Sequence, residues 1–295
     1  MNQDLMISGF SDEISSNFDT QLEVVSNLNM KYISLRGIDG KNIGDFTVDE
    51  IKETVLPRLQ KAGIGVSSIG SPIGKIFIND EEGFDKQKLM LDTLCQISNL
   101  LDCQYMRIFS FYIPKGEDAD QFRSQVVSKL KEFAAIAEKY NVILLHENEK
   151  DIFGDIGRRC HEILTEVGSP YFKGIFDFAN FVQCGEDTQE CYDLLKDEIV
   201  YIHIKDAVTT DSQNVVCGTG DGKIPELLVK FIKSGYKGFL TLEPHLVLFD
   251  SLKDLELEDA TEIIKDNKGL DGAGGYKLQY EALLDILKKI ESEGI

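Results

Sequence analysis

Positive charge is what this chain most lacks. Its 295 residues carry 31 lysines and arginines against 51 aspartates and glutamates, a formal charge of −20, whereas nucleic acids and anionic membranes are held through basic side chains. Neither partner is expected, although a local basic pocket would still hold one phosphate. Histidine is also scarce, with four in all. No apolar run approaches the roughly 18–20 residues of a membrane span, and the opening MNQDLMISGFSDEI lacks the basic segment, apolar core and cleavage site of a secretory signal. A soluble, cytoplasmic protein is the expectation. The six cysteines (Cys95, Cys103, Cys160, Cys184, Cys191 and Cys217) form no CxxC pair and no zinc-ribbon spacing, so free thiols are expected. The glycine-rich CGTGDGK, Cys217 to Lys223, lacks the GxGxxG or GxxxxGKS/T order of nucleotide loops and reads as a turn that can touch substrate.

What the chain has is alternation. Short β-type runs near Leu5 to Phe10, Tyr32 to Arg36, Ile64 to Ile69 and Tyr105 to Phe109 are separated by helical windows over Asp19 to Asn27, Thr47 to Ala62, Asp85 to Leu101 and Ala119 to Tyr140. Ser71 to Phe84 reads as a loop. Four more runs, LLHENEKDIFGD from Leu144, GIFDFAN from Gly174, YIHIKDA from Tyr201 and FLTLEPHL from Phe239, alternate with helices near Ile156 to Val167, Thr188 to Lys196 and Pro225 to Ser234. Eight βα units without a linker or composition break predict one α/β domain over 1–295, a closed (β/α)8 TIM barrel. The stretch from Asp250 to Tyr276, acidic and then glycine-rich, is long for a βα loop. It is read as an insertion in the eighth unit, a lid or an oligomer contact, before a closing helix over Lys277 to Ile290.

Each of the last four strands ends in a carboxylate or a histidine: Glu147, Asp177, His203 and Glu243. In a (β/α)8 barrel such ends converge on one face. Three carboxylates brought together repel one another and drive their pKa values up unless a cation joins them. A divalent metal resolves the conflict, and oxygen donors with one imidazole favour Mn²⁺ or Mg²⁺, with Co²⁺ or Zn²⁺ acceptable. Any one of these residues alone would more simply be a paired rim group; the joint occurrence on consecutive strands makes the site. Further candidates for substrate contact are Arg36 and Arg107, which ion pairs with the acidic surplus would explain somewhat more simply, and His146, Asn180, Lys205 and His245, with Ser8, Glu13, Ser71 and Lys75 weaker. Strand alternation points Lys205 and His245 to the ligand side and His146 away from it. Phe10, Phe109, Phe111, Tyr112 and Phe178 are candidates for an apolar wall.

On HENEKDIFGD, FDFANFVQCG, HIKDA with the later GTGDGK turn, and LEPHL, nearly the whole chain resembles the xylose-isomerase-like barrel superfamily, in particular its sugar phosphate isomerase/epimerase branch. The resemblance implies one divalent metal, often manganese, held by Glu147, Asp177, His203 and Glu243, and an isomerase or epimerase acting on a small carbohydrate. Glu147 and Glu243 would act as acid and base on a keto-sugar, one removing a proton to form an enediolate and the other returning it. Where many ketose epimerases of the family have a histidine three residues after the strand-six aspartate, this chain has Asn180, and the expected arginine after strand seven is not evident. The wording is closer to members acting on keto-sugars and 3-keto-glycosides, so a lyase cleaving 3-keto-glycosides by β-elimination is the alternative. The related abasic-site endonucleases need a histidine-rich multi-zinc cluster, which four histidines and the acidic charge do not suit.

Overall fold

Short apolar, β-branched runs form eight strands: β1 (Leu5–Gly9), β2 (Tyr32–Leu35), β3 (Gly65–Gly70), β4 (Tyr105–Ile108), β5 (Ile143–His146), β6 (Phe172–Asp177), β7 (Ile199–Ile204) and β8 (Gly238–Leu242). The structure is a computed structural model that describes residues 5–249 and 269–295. The strands pair in parallel in chain order from β2 to β8, and β8 pairs with β1. The ring closes where β1 meets β2 through an isolated parallel bridge of Phe10 with Ser34. This is the expected α/β barrel. Two short antiparallel hairpins ornament it, Gly37–Ile38 with Lys41–Asn42 and Asp206–Ala207 with Asn214–Val215.

The helices are α1 (Phe18–Asn27), α2 (Val48–Glu50, continuing through a π turn Ile51–Val55 into Leu56–Ala62), α3 (Glu81–Leu100), α4 (Arg123–Glu138), α5 (Gly157–Val167), α6 (Phe178–Gln183), α7 (Thr188–Leu195), α8 (Ile224–Lys233) and α9 (Gly272–Ser292). Part of the acidic surplus caps them. Asp80, Asp187 and Asp271 accept hydrogen bonds from first-turn N–H groups of α3, α7 and α9. A cap of this kind is worth about 1 kcal/mol, and its charge complements the helix dipole.

Three boundaries differ from expectation. The Asp80 cap starts α3 at Glu81, inside the segment read as a loop. Ala119–Phe122 forms a 3-10 turn ahead of α4. Helix α9 starts at Gly272 rather than Lys277, so the glycines are its first turn. Their reason is steric: a Cβ at Gly272 would collide with the carbonyl oxygens of Glu13 and Ile14. Tertiary packing overrides glycine's poor helix propensity here. Most of the expected insertion, 250–268, lies outside the described residues.

Outward strand residues such as Phe176, Ile202, Ile204 and Leu240 join the helices in one apolar core. Inward residues fill the barrel in layers. Leu145, Ile175, Tyr201 and Phe239 pack together low down. Beside them the buried Tyr201 hydroxyl lies 2.9 Å from Ser67 Oγ, 3.0 Å from Ser68 Oγ and 2.7 Å from Thr241 Oγ1. Above this hydroxyl layer lies the polar mouth. The six cysteines are free, and burial pushes the thiols of Cys95, Cys103, Cys184 and Cys217 up to about 12.

Candidate metal centre and active site

Strand alternation turns Leu145 and Glu147 into the barrel, and the Glu147 N–H donates to Ile108 O at 3.0 Å, extending the ladder one residue past β5. Asp177 ends β6 and also caps α6. Its Oδ1 accepts from Asn180 N at 2.9 Å, which leaves Oδ2 to face the cavity. His203 lies one residue before the end of β7, and Glu243 follows β8 with its N–H on Ile204 O at 3.2 Å.

These four buried side chains bring ligand atoms within 4.8 Å of one another. His203 Nδ1 lies 2.7 Å from Glu147 Oε1, 3.2 Å from Glu243 Oε2 and 3.8 Å from Asp177 Oδ2. Glu147 Oε2 and Asp177 Oδ2 are buried without a hydrogen-bond partner, a costly state that a bound cation relieves. The donor set therefore fits a divalent ion. Burial and the neighbouring carboxylates push Asp177 up to about 7, despite Lys205. Burial alone would lower His203, yet Glu147 and Glu243 pull it up to about 9.

Three cations surround the carboxylates. Arg36 is fully buried, with Nε on Asp12 Oδ2 at 2.8 Å, Nη1 on Glu243 Oε1 at 2.8 Å and Nη2 near Glu13 Oε1 at 3.4 Å. Its guanidinium lies 4.4 Å over the Phe10 ring. Arg107 is held more loosely, Nη1 being 3.3 Å from Glu147 Oε2 and 3.5 Å from Glu243 Oε1, with Nε unpartnered. Lys205, on the His203 side of its strand as alternation requires, lies 3.3 Å from Asp177 Oδ2 and 3.5 Å from Glu243 Oε2. Glu13, Glu243 and His245 make a second cluster. There Arg36 already lies between the two glutamates, and burial, followed by the charge of Lys205, holds the His245 imidazole well below its usual range.

The remaining candidates divide. His245 reaches the mouth, Nε2 lying 3.6 Å from both Glu13 and Glu243, and neither ring nitrogen has a hydrogen bond among the described residues. Asn180 donates to Asn148 O at 2.7 Å in the wall beside Asp177. His146 is not brought to the cluster. It faces the helix layer with Nε2 3.0 Å from Ser110 Oγ, and burial depresses it to about 3. Ser8 belongs to the hydroxyl layer below, Ser71 bonds Arg107 O, and Lys75 pairs with Glu149 at 2.9 Å. Of the aromatic candidates, Phe10 and Phe109 face Arg107, each at 4.9 Å, and Tyr112 packs with Phe109 and Ile152. Phe111 and Phe178 instead join the outer core beside Phe133 and Phe176. Sequence reasoning missed Asp12 and underrated Glu13, although both follow the first strand at its mouth end.

Asp206 explains the CGTGDGK turn. Its carboxylate accepts from the N–H groups of Gly218 at 2.8 Å, Gly220 at 3.0 Å, Gly222 at 3.0 Å and Ala207 at 3.0 Å. A Cβ at Gly220 or Gly222 would strike that carboxylate. The loop's donors are thus engaged by the protein's own anion rather than by a ligand. Asp206→Ala should cost about 3 kcal/mol or more in urea unfolding, because buried N–H groups lose a charged acceptor; a loss below about 1 kcal/mol would contradict this role.

No curated protein matches the chain in sequence. Solved structures of like fold include the IolI protein with a bound zinc atom (16% identity, TM-score 0.75, covering 97% of this chain and 99% of the other). A D-tagatose 3-epimerase-like protein is similar at 17% identity and TM-score 0.72, covering 98% of this chain and 100% of the other. A xylose isomerase-like TIM barrel protein from Mycobacterium smegmatis in complex with magnesium has 14% identity and TM-score 0.70, covering 98% of each chain. A family model described as xylose isomerase-like TIM barrel matches residues 22–267, and with its eight-stranded parallel barrel the chain belongs to that family.

Proposed function

We propose that the protein is a divalent-metal-dependent isomerase or epimerase of a keto-sugar or keto-glycoside. The observation that carries this reading is the convergence of Glu147 and Glu243, from the separated strands β5 and β8, on the same His203 nitrogen with Asp177 beside them. Glu147, Asp177, His203 and Glu243 would hold the ion, Mn²⁺ or Mg²⁺ by preference with Co²⁺ or Zn²⁺ as alternatives. When bound it supplies Lewis-acid polarisation of the substrate carbonyl and its neighbouring hydroxyl, which acidifies the C–H between them. Likeness to an epimerase-like protein and to metal-bearing barrels supports the reading.

In this reading Glu147 takes the proton beside the carbonyl and Glu243 returns one. Return to the opposite face of the same carbon gives an epimer; return to the neighbouring carbon gives an isomer. Arg107 and Lys205, whose ion pairs with the carboxylates span 3.3–3.5 Å, would donate to substrate hydroxyls. Asn180 and His245 complete the polar contacts.

Incubating the Mn²⁺-loaded protein in D₂O with D-fructose, D-tagatose, D-allulose and a 3-keto-glucoside should place deuterium on the carbon beside a carbonyl. No exchange with any of them would overturn the reading. The imidazole of His245, at the mouth beside Glu13 and Glu243, also suits a β-eliminating lyase, in which it would protonate a departing aglycone. Release of free aglycone from the 3-keto-glucoside would select that second reading.

A further inference from the structure

We propose that Glu13 is the positioning residue for Glu243, working on it through two separate contacts. The inference rests on the reading that Glu243 returns the proton.

One contact acts on the side chain. Glu243 Oε1 receives Arg36 Nη1 at 2.8 Å, and Arg36 cannot swing away, because Asp12 holds its Nε at 2.8 Å, Glu13 flanks its Nη2 at 3.4 Å and Phe10 lies beneath the guanidinium at 4.4 Å. The second contact acts on the backbone. Glu13 Oε2 accepts the His245 N–H at 2.7 Å, two residues beyond Glu243. His245 has φ 46°, a left-handed conformation that a side-chain-bearing residue adopts only when its surroundings require it. Glu13 is itself 4% exposed and set on the short helical turn Ser11–Glu13 directly after β1. One carboxylate thus fixes the turn that leaves Glu243 and the cation that Glu243 touches. Among the described residues Glu147 has no counterpart: its cationic contacts there are His203 and the loosely held Arg107.

The consequence is stereochemical. With Glu243 fixed, a proton removed by Glu147 is replaced from a different direction and the carbon inverts. With Glu243 displaced, Glu147 returns a solvent-derived proton to the face it came from, and the substrate exchanges without inverting. No bond changes at Glu13.

The test uses Glu13→Gln, which keeps an acceptor for the His245 N–H but replaces the carboxyl group beside Arg36 with an amide, and Asp12→Asn, which loosens Arg36 and leaves the backbone contact alone. The first readout is Mn²⁺ binding to metal-stripped protein by calorimetry. Loss of a group that orients a ligand typically weakens metal affinity or activity about 10–100-fold, and a loss of about 10-fold is expected for Glu13→Gln. The second is the ratio of deuterium in recovered keto-sugar to epimer formed. It should rise about 10-fold as kcat for inversion falls within that 10–100-fold range, with KM changed less than about 2-fold. Unchanged Mn²⁺ affinity and an unchanged ratio in a variant that melts like the parent would overturn the inference. So would variants that only melt earlier with the ratio preserved. Should Glu13→Gln not fold, Glu13→Asp, which keeps the carboxyl group but draws it back from Arg36 and the His245 N–H, carries both readouts. If the parent protein exchanges none of the sugars, the proposed reaction fails, while Mn²⁺ affinity still decides whether Glu13 positions Glu243.

Discussion

Glu147→Gln should lower deuterium exchange beside the carbonyl by about 10³-fold or more, since positioned proton transfer contributes about 10²–10⁴ in rate. Two losses coincide at this position. Glutamine cannot accept the proton, and its neutral amide removes one of the three anionic donors around His203. The substitution is close to isosteric, and the carbonyl oxygen of glutamine can still sit beside His203 Nδ1, so the fold should survive. The measurement is the initial exchange rate at saturating Mn²⁺, compared with circular dichroism of the same sample. Retention of more than about a tenth of the parent rate would show that Glu147 is not the base.

Stripping the metal is the second large effect. Exchange should vanish on dialysis against a chelator and return with Mn²⁺. Stability should follow, because an ion that binds only the folded chain adds about 2.7 kcal/mol at a hundred times its dissociation constant. For a chain of this length that is a rise of about 4 °C in Tm. The physical source is the crowding of Glu147, Asp177 and Glu243, with a buried oxygen each of Glu147 and Asp177 lacking a hydrogen bond among the described residues. Identical melting in chelator and in excess Mn²⁺ would mean that the cluster is satisfied by its own cations and a proton on His203, and that the metal reading is wrong.

The four strand ends were legible from sequence because the information is local. A two-residue period fixes which side chains face inward, and the last inward position of a barrel strand lies at the mouth. The same reasoning turned His146 outward, and its place beside Ser110 agrees. Asp12, Glu13 and Arg36 were harder. A carboxylate after the first strand says nothing about a guanidinium 24 residues away, nor about Glu243, 207 residues beyond Arg36. Only the closed ring makes them neighbours. Asp206 was obscured by adjacency: next to His203 and Lys205 it looks like part of the site, yet it faces the Gly218–Gly222 loop, whose N–H groups converge only in three dimensions. Glycine misled in the opposite direction at the start of α9, where absence of a side chain serves close packing rather than a bend.

The ring is thinnest where β1 meets β2, a seam with one bridge between Phe10 and Ser34. Arg36, one residue past β2, reaches over that seam to Asp12 and Glu13 after β1 and on to Glu243 after β8. Side chains thus continue a circumference that the main chain barely completes, like a clasp on an otherwise sewn hoop. Any remodelling of the mouth that treats Arg36 as an adjustable residue would also unfasten the hoop, so changes are better made at Arg107 or Asn180, away from the seam.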